Sequence, residues 1–326
     1  EGPWTQRGCV AKTNEASVMN AIDPSVMADP VTGKWWMHYG SFLGGLYCVE
    51  LDPETGLPAE EGDQGHLTAR RANYQKDNLE APEIIYNPDL KQYYLFVSYD
   101  PLMTTYNVRV GRSDKAEGPF VDFSGVELKD TTNNFPILTA PYRFHNHPGW
   151  AGTAHCSVFT SDEGQYFMAH QGRLSPHNQM MDLHLRQVFF TPDGWPVVSP
   201  ERYTGSVSRK FSAEDMAGEW EVIRIQEPAY ERRLQAGQIL WGEGQLKEEE
   251  WNVSHLLSLE KNGHLGENKG NWEFLEAKQL LSLTLEGEII NNLIIFAGHD
   301  WENEKETVLF TGLDSRGRSI WGKRIK

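Results

Sequence analysis

The first 170 residues repeat a polar turn followed by an aromatic-rich segment three times. The aromatic segments begin at Trp35, Tyr93 and Tyr166, which lie 58 and 73 residues apart. A second apolar segment follows each of them, over residues 45–51, 106–111 and 183–190. Strand–turn–strand units at a spacing of about 60 residues are typical of the four-stranded blades of a β-propeller. We therefore predict an all-β fold, with short helical turns only within 213–220 and 228–250.

A four-residue motif at the start of the sequence recurs within the repeats. Glu1-Gly-Pro-Trp4 returns as Glu117-Gly-Pro-Phe120, 116 residues later. If both copies occupy the same late position in a blade, the sequence begins inside a blade. A closed propeller needs about four to eight blades, so we expect the three units to be the later part of a longer protein. The alternative is that a Gly-Pro turn recurs by chance.

The sequence pattern changes after Pro200. From about residue 206, acidic loops alternate with short apolar segments over 281–285, 293–297, 307–311 and 319–323. This pattern predicts a small β-barrel or β-sandwich without a catalytic constellation. We predict two domains, a propeller domain over 1–205 and a C-terminal accessory domain over 206–326.

The charge of the chain limits its partners. There are 30 Lys and Arg residues against 46 Asp and Glu residues, which gives a formal net charge of -16. A nucleic-acid partner is excluded, because phosphate binding needs clustered Lys and Arg. No apolar segment is long enough to cross a bilayer, so we expect no membrane partner. The 11% aromatic residues suit stacking on sugar rings, although most of them are expected in the core.

Two acids stand beside prolines near the predicted starts of inner strands. Asp23 precedes Pro24, and Glu80 lies two residues before Pro82, 57 residues after Asp23. At one blade spacing, the two carboxyl groups would converge on the propeller axis, and a pair of carboxyls about 6.5–9.5 Å apart suits inverting glycoside hydrolysis. Two alternatives stay open. Asp23 is also a good residue for an Asx turn, and Glu83 competes with Glu80 as the functional acid.

A histidine occupies the corresponding place one blade later. His155 lies in Gly152-Thr-Ala-His-Cys156, just before an apolar segment. A channel histidine suits metal binding or the tuning of a neighbouring carboxyl, and a core histidine is an equally good interpretation. The His145-x-His147 pair is a weak zinc signal without a third ligand. The three cysteines form no Cys-x-x-Cys pair and no disulfide framework.

These motifs together resemble the arabinanases of glycoside hydrolase family 43. The resemblance rests on segments that occur in the family's order over about residues 1–203. They are Asn20-Ala-Ile-Asp-Pro24, Trp36-Met-His-Tyr-Gly-Ser-Phe42, Glu80-Ala-Pro82, Tyr93-Tyr-Leu-Phe-Val-Ser98, Gly152-Thr-Ala-His-Cys-Ser-Val158 and Asp193-Gly-Trp-Pro-Val-Val-Ser-Pro200.

The resemblance implies a five-bladed propeller, of which this chain covers about three blades, and hydrolysis of α-1,5-linked L-arabinan or arabino-oligosaccharides with inversion. It makes Glu80 the general acid and Asp23 the residue that adjusts the pKa of the acid and orients it. It places His155 on the axis beside a hydrated calcium ion. Ser41 is expected to hydrogen-bond a sugar hydroxyl, with a turn hydroxyl as the alternative. The family's general base lies in a His-Asp-Pro motif that this sequence lacks, so we expect it outside the chain.

Two departures from the family pattern leave the cleavage mode open. Leu43 replaces a Trp that is common after Gly-Ser-Phe, and Ala154 replaces the usual Gly before the axial histidine. The alternatives are an exo-acting α-L-arabinofuranosidase or xylosidase on the same fold, a non-catalytic carbohydrate-binding propeller, and a protein-interaction propeller. An extracellular or periplasmic location is expected, with a cytoplasmic one left open.

Overall fold

A computed structural model describes residues 2–71, 78–130, 133–207, 209–227, 245–285 and 287–326. The chain divides into two compact units. The first comprises Glu1–Tyr99 and Arg109–Phe135, and the second comprises Asp100–Val108 and Pro136–Lys326. Strands dominate both. None of the helices in the described ranges is long and apolar enough to span a membrane.

The first unit contains a four-stranded antiparallel sheet in the order in which its strands occur along the chain. The register runs from Ser25 opposite His38 to Ala28 opposite Trp35 in its first pair, and from Trp35 opposite Leu51 to Tyr39 opposite Tyr47 in its second pair. The strands are β1 (Ser25–Ala28), β2 (Trp35–Tyr39), β3 (Leu46–Leu51) and β4 (His66–Ala69). This sheet matches the predicted four-stranded unit.

A second sheet of this unit contains β5 (Leu79–Asn87), β6 (Gln92–Tyr99) and β7 (Asn107–Ser113). Apolar side chains of both sheets form one cluster that includes Trp36, Leu95 and Phe120, while Met37 and Tyr39 belong to a second cluster. Successive residues of β2 therefore pack in different clusters. Burial on both faces explains why this strand is a continuous aromatic run instead of an alternating one.

The second unit begins with short strands and a further antiparallel sheet. In that sheet β12 pairs with β11 through its first half and with β10 through its end, and β13 and β14 follow on the other side. The first short strand, β8 (Ile137–Thr139), is not part of that sheet. The sheet contains β9 (Tyr142–Arg143), β10 (Trp150–Ala151), β11 (Ser157–Thr160), β12 (Tyr166–Leu174), β13 (Asp182–Phe190) and β14 (Pro196–Val198).

A closed eight-stranded barrel completes the second unit. Its first and last strands pair, with Trp220 opposite Arg324 and Arg224 opposite Ile320. The barrel strands are β15 (Gly218–Arg224), β17 (His255–Leu259), β18 (His264–Leu265), β19 (Gly270–Leu275), β20 (Leu280–Leu285), β21 (Glu288–Asp300), β22 (Lys305–Leu313) and β23 (Ser319–Arg324). The short strand β16 (Asn252–Val253) pairs with β9 outside the barrel.

Large apolar side chains fill the barrel interior. Trp220, Phe310 and Met216 are all fully buried in one cluster with Leu and Ile side chains from the other strands. Met216 lies in the helix α1 (Ala213–Met216), whose cap residue Ser212 donates from its amide at 2.8 Å and from its hydroxyl at 3.0 Å to the Asp215 carboxylate. Single 3₁₀ turns occur at Glu248–Glu250 and Gly266–Asn268.

The barrel packs on the preceding sheet within the second unit. The Thr311 hydroxyl donates to the Val198 carbonyl at 2.7 Å, and the rings of Phe189 and Phe296 lie 4.5 Å apart. The compact units therefore divide the chain elsewhere than at 205/206, and the two-domain boundary stays a prediction. The all-β fold and the C-terminal barrel are confirmed, whereas the five-bladed count stays a prediction. Of the two helical segments expected, 213–220 contains α1, and 228–244 lies outside the described residues.

Candidate active site

Three strand starts share an uncommon backbone conformation. Asp23, Ala81 and His155 have positive φ angles of 55°, 53° and 54°. Regular pairing begins or resumes two residues after each, at Ser25 opposite His38, Glu83 opposite Phe96 and Ser157 opposite Ala169. Non-glycine residues rarely adopt positive φ, and such strain concentrates at functional positions. The three motifs that the sequence singled out share this feature, although nine other non-glycine residues in the described ranges also have positive φ.

Glu80 lies on the first residues of β5, before the register shift that Ala81 and Pro82 produce. The carboxyl group is nearly buried, and its Oε2 accepts a hydrogen bond of 2.8 Å from the Ser41 hydroxyl, which is also buried. Ser41 forms an isolated bridge with Glu80 as well. In the structure the Ser41 hydroxyl contacts the carboxyl of Glu80, and its predicted contact with a sugar hydroxyl stays a prediction.

The segment Gly40–Phe42 connects the two acid-bearing strand starts. The Gly40 amide donates to the Ile22 carbonyl at 2.9 Å, and the Phe42 amide donates to the Leu79 carbonyl at 2.8 Å. Asp23 and Glu80 are the residues next to these two carbonyls. Gly40 is required here, because a Cβ on it would lie 2.6 Å from the Gly45 carbonyl oxygen and its φ is +131°. The structure thus brings Asp23, Ser41 and Glu80 onto neighbouring backbone segments.

Asp23 and Glu80 occupy positions that differ by one residue relative to their strand starts. Counted from the positive-φ residue, Asp23 corresponds to Ala81, and Glu80 corresponds to Ile22. The sequence placed the acids at equivalent positions of successive units because both stand before a proline. The register shows that the prolines are equivalent and the acids are not. Asp23 is half-buried and therefore less enclosed than Glu80.

Glu83, the competing acid, is held elsewhere. Its Oε2 accepts a hydrogen bond of 2.8 Å from the hydroxyl of Ser25 on β1, and the same hydroxyl accepts from the Ile84 amide at 3.3 Å. Glu83 thus links the two sheets of the first unit. The two glutamates differ in their serine partners. Ser41 contacts Glu80, and Ser25, which the sequence did not single out, contacts Glu83.

His155 lies in the second unit and is exposed. Its Nδ1 lies 3.4 Å from the hydroxyl of the buried Tyr106. The backbone around it is fixed, because the Gly152 amide donates to the Thr104 carbonyl at 2.9 Å and the Gln171 amide donates to the Ala154 carbonyl at 3.1 Å. The core-histidine alternative is therefore wrong, since the imidazole is not buried.

The calcium prediction can be compared with the donor atoms around His155. Calcium takes about six to eight oxygen ligands. Among the described residues, His145, His147 and His155 belong to no group of three metal-ligating side chains. The calcium ion beside His155 therefore stays a prediction.

A cluster of three acids forms in the second unit around a lysine. The Nζ of Lys323 on β23 lies 2.9 Å from both Glu201 and Asp300 and also contacts Glu302. Glu201, Asp300 and Glu302 are the one group of potential metal ligands in the described ranges. Because the ammonium group already occupies its centre, we interpret the cluster as a buried ion-pair network.

Burial raises the pKa of the Glu201 carboxyl well above its usual range, and the negative charge of Glu302 adds to this effect. Burial opposes the charged form of Lys323, but the carboxylates of Glu201 and Glu302 outweigh it and raise the lysine pKa. The sequence did not indicate this cluster, because its members lie 21 to 122 residues from the lysine.

Comparison with known proteins identifies two family models that match this chain. A model of the glycosyl hydrolases family 43 matches residues 1–196. A model of a C-terminal lipocalin-like domain matches residues 200–322, which include the closed barrel except the end of its last strand.

Similar curated proteins carry arabinan-related names. An extracellular endo-α-(1→5)-L-arabinanase 2 of Bacillus subtilis is 26% identical, and the match covers 99% of this chain and 71% of that protein. An extracellular endo-α-(1→5)-L-arabinanase of Thermotoga petrophila is 30% identical over 94% of this chain and 64% of that protein. An extracellular exo-α-(1→5)-L-arabinofuranosidase of Cellvibrio japonicus is 27% identical over 64% of this chain and 60% of its own length.

The crystal structure of the endo-1,5-α-L-arabinanase from Thermotoga petrophila superimposes with a TM-score of 0.79 at 27% identity. The match covers 96% of this chain and 69% of that chain. The chain therefore spans about two thirds of the length of such relatives.

Proposed function

Because this chain belongs to the glycosyl hydrolases family 43, we propose that it is a glycosidase that cleaves α-1,5-linked L-arabinan or arabino-oligosaccharides. The family membership follows from the match over residues 1–196. The names of the similar arabinanases support the substrate. The observation that carries the proposal is the buried Glu80 carboxyl, oriented by the Ser41 hydroxyl at 2.8 Å beside a positive-φ strand start.

In the proposed reaction Glu80 is the general acid. It donates its proton to the glycosidic oxygen as the bond from that oxygen to the anomeric carbon breaks. Water attacks the anomeric carbon from the opposite face, so that the configuration inverts, and a general base accepts the proton of the water. Asp23 is the positioning residue. The general base is a group other than Asp23 and Glu80. Ser41 supports the reaction by restricting the rotamers of Glu80.

The proposal is tested with the intact protein on linear 1,5-α-L-arabinan, with Glu80→Gln as the variant. Release of arabinose or its oligomers is expected from the unsubstituted protein. Glu80→Gln should lower turnover at least 1,000-fold and leave arabino-oligosaccharide binding within about threefold, because glutamine keeps the shape and loses the proton. Near-normal hydrolysis by Glu80→Gln would reject the assignment of the acid. Binding without hydrolysis by the unsubstituted protein would favour the carbohydrate-binding alternative.

We propose an endo mode of cleavage, which the names of two relatives that match 94% or more of this chain support. The exo alternative is kept because a relative named as an exo-arabinofuranosidase also matches. Product analysis separates the two modes. A ladder of oligomers early in the reaction indicates endo cleavage, whereas arabinose or one short product indicates exo cleavage.

A hydrated calcium ion beside His155 and an extracellular location are further proposals. The location is supported by relatives that are named extracellular. The ion is tested by elemental analysis of the protein and of His155→Ala. A stoichiometric metal that disappears in the variant is the expected result, and an equal metal content in both proteins would contradict it.

A further inference from the structure

A cleft of about 440 Å³ opens on the barrel of the second unit, at the end where β21, β22 and β23 meet the segment before α1. We call it the cationic cleft. Its lining includes four basic side chains and one acidic side chain among the described residues, which are Arg209, Lys305, Arg324, Lys326 and Glu306. A volume of this size is in the usual range for small-ligand sites. The excess of cations is unusual in a chain of formal net charge -16.

Two of these cations are bonded to neutral partners. The Lys305 ammonium donates to the Ile325 carbonyl at 2.5 Å, and the Arg324 guanidinium donates to the Ala217 carbonyl at 2.8 Å. In the described part of the chain neither of them is paired with a carboxylate. A backbone carbonyl satisfies a donor but does not neutralise the charge, so the cleft keeps positive charge at these two positions.

The remaining charges do not cancel this excess. The Arg209 guanidinium is paired with Asp215 at 3.1 Å and lies over the Phe211 ring. The lining acid Glu306 keeps its negative charge, since its contacts are His299 at 3.2 Å and the Ser206 hydroxyl at 3.4 Å. It offsets one of the three charges, of Lys305, Arg324 and Lys326, that have no carboxylate partner among the described residues, so two remain.

An unsatisfied donor adds a second observation. The Nε of Arg324 is buried and has no hydrogen-bond partner among the described residues. A buried polar atom without a partner costs about 1–3 kcal/mol, and such atoms are expected where a ligand or water completes the site. Arg324 lines the cleft and brings to it a charge without a carboxylate partner among the described residues, next to a donor atom that the side chain keeps buried.

We propose that the cationic cleft binds the carboxylate of a sugar acid, as in an oligosaccharide that contains uronate residues. Guanidinium and ammonium groups are matched to carboxylate oxygens, and the Thr307 and Val308 stretch of the wall offers both polar and apolar surface to a sugar ring. The choice of a sugar acid over another anion rests on the proposed function. Through the cleft, an enzyme that cleaves neutral arabinan would also contact an acidic polysaccharide.

The test is isothermal titration calorimetry of the full chain with trigalacturonic acid at 50 mM and 300 mM NaCl. Binding at 50 mM NaCl and at least a tenfold weaker affinity at 300 mM are expected, because salt screens partly exposed charges. Arabinotriose and inorganic phosphate are titrated in parallel. No binding of trigalacturonic acid at low salt, or equal affinity for phosphate, would overturn the proposal.

The variants locate the site. Lys305→Glu and the double variant Arg209→Gln/Lys305→Gln should each weaken trigalacturonic acid binding at least tenfold. The matched control is Lys261→Gln/Lys278→Gln, which removes two exposed lysines of the same barrel outside the cleft. An equal loss in the control would show that net charge and not the cleft is responsible. Thermal unfolding of every variant checks the fold. The double variant removes the Arg209–Asp215 ion pair, and if this loss unfolds the barrel, Lys305→Glu still provides the test.

Arabinan hydrolysis is measured on the same proteins. Loss of trigalacturonic acid binding with unchanged hydrolysis of neutral arabinan is the expected result for the cleft variants. Absence of hydrolysis by the unsubstituted protein would count against the proposed function, whereas absence of trigalacturonic acid binding would count against the cationic cleft alone.

Discussion

Two serine–glutamate contacts distinguish the acids of the candidate site. The hydroxyls of Ser41 and Ser25 each donate at 2.8 Å, the first to Glu80 and the second to Glu83. The pairs are chemically identical, but Glu80 lies before the register shift in β5 and Glu83 after it. The sequence pointed to both glutamates and to Ser41, but not to these pairings, because the partners lie 39 and 58 residues apart.

The pairings provide a matched prediction at the residue scale. Ser41→Ala should lower kcat/KM on arabinan about 3- to 10-fold, since a hydrogen bond to the neutral, protonated carboxyl contributes about 0.5–1.5 kcal/mol. Ser25→Ala removes the same kind of hydroxyl from Glu83 and should leave kcat/KM within about twofold. Steady-state kinetics of both variants make the comparison. If Ser25→Ala is the more damaging, Glu83 and not Glu80 is the functional acid.

At the scale of the strand, the positive-φ residues show how far the sequence predicts the site. The aromatic runs predicted β2, β6 and β12, because turn residues precede them and burial on both faces favours large apolar side chains. The positive φ angles of Asp23, Ala81 and His155 were not predicted. No residue type specifies it at these positions, and it arises from the tertiary position of each strand start.

Ala81 makes this strain measurable. Ala81→Val should lower the free energy of unfolding by about 1–3 kcal/mol, because a β-branched side chain is poorly tolerated at a φ of 53°. Ala81→Gly should be neutral or stabilising, because glycine adopts this conformation without steric cost. Urea denaturation of the two variants gives the values. Equal stability of Val and Gly at this position would show that the strand start is not strained.

The network around Lys323 connects β21, β23 and the residues after β14, again at the element scale. Lys323→Met should destabilise the protein by about 3–5 kcal/mol, because it leaves buried carboxylates without their counter-charge. Adding Glu201→Gln should restore part of the loss, since it removes one of those charges. Chemical denaturation checks both variants. A fully stable Lys323→Met protein would mean that the carboxylates are hydrated.

For the whole molecule, buried histidines make stability depend on pH. His38 and His170 are fully buried, and burial lowers their pKa from 6.5 to about 4 and about 3. Between these values and about 6.5 the unfolded chain binds protons that the folded chain does not. The free energy of unfolding therefore falls as the pH is lowered from about 6.5, by up to about 1.4 kcal/mol per pH unit for each histidine.

His170→Gln should remove one histidine's share of this slope between pH 6.5 and 4.5. Glu201, whose pKa is raised by burial, contributes the opposite slope in both proteins and cancels in the comparison. Urea denaturation at four pH values measures the difference. Identical slopes would show that His170 is protonated in the folded protein or stays neutral in the unfolded one.

The closed barrel has a consequence for how such a chain can be rearranged. Its Thr311 and Ser319 hydroxyls donate to the carbonyls of Val198 in β14 and Ile137 in β8, two strands outside the barrel, and Lys323 needs Glu201 from outside the barrel. A gene fusion that moved residues 206–326 to another enzyme would leave these donors and this lysine without partners. We therefore expect that the barrel is less stable when it is fused to another enzyme, and that it is retained in evolution together with the strands on which it packs in its own enzyme.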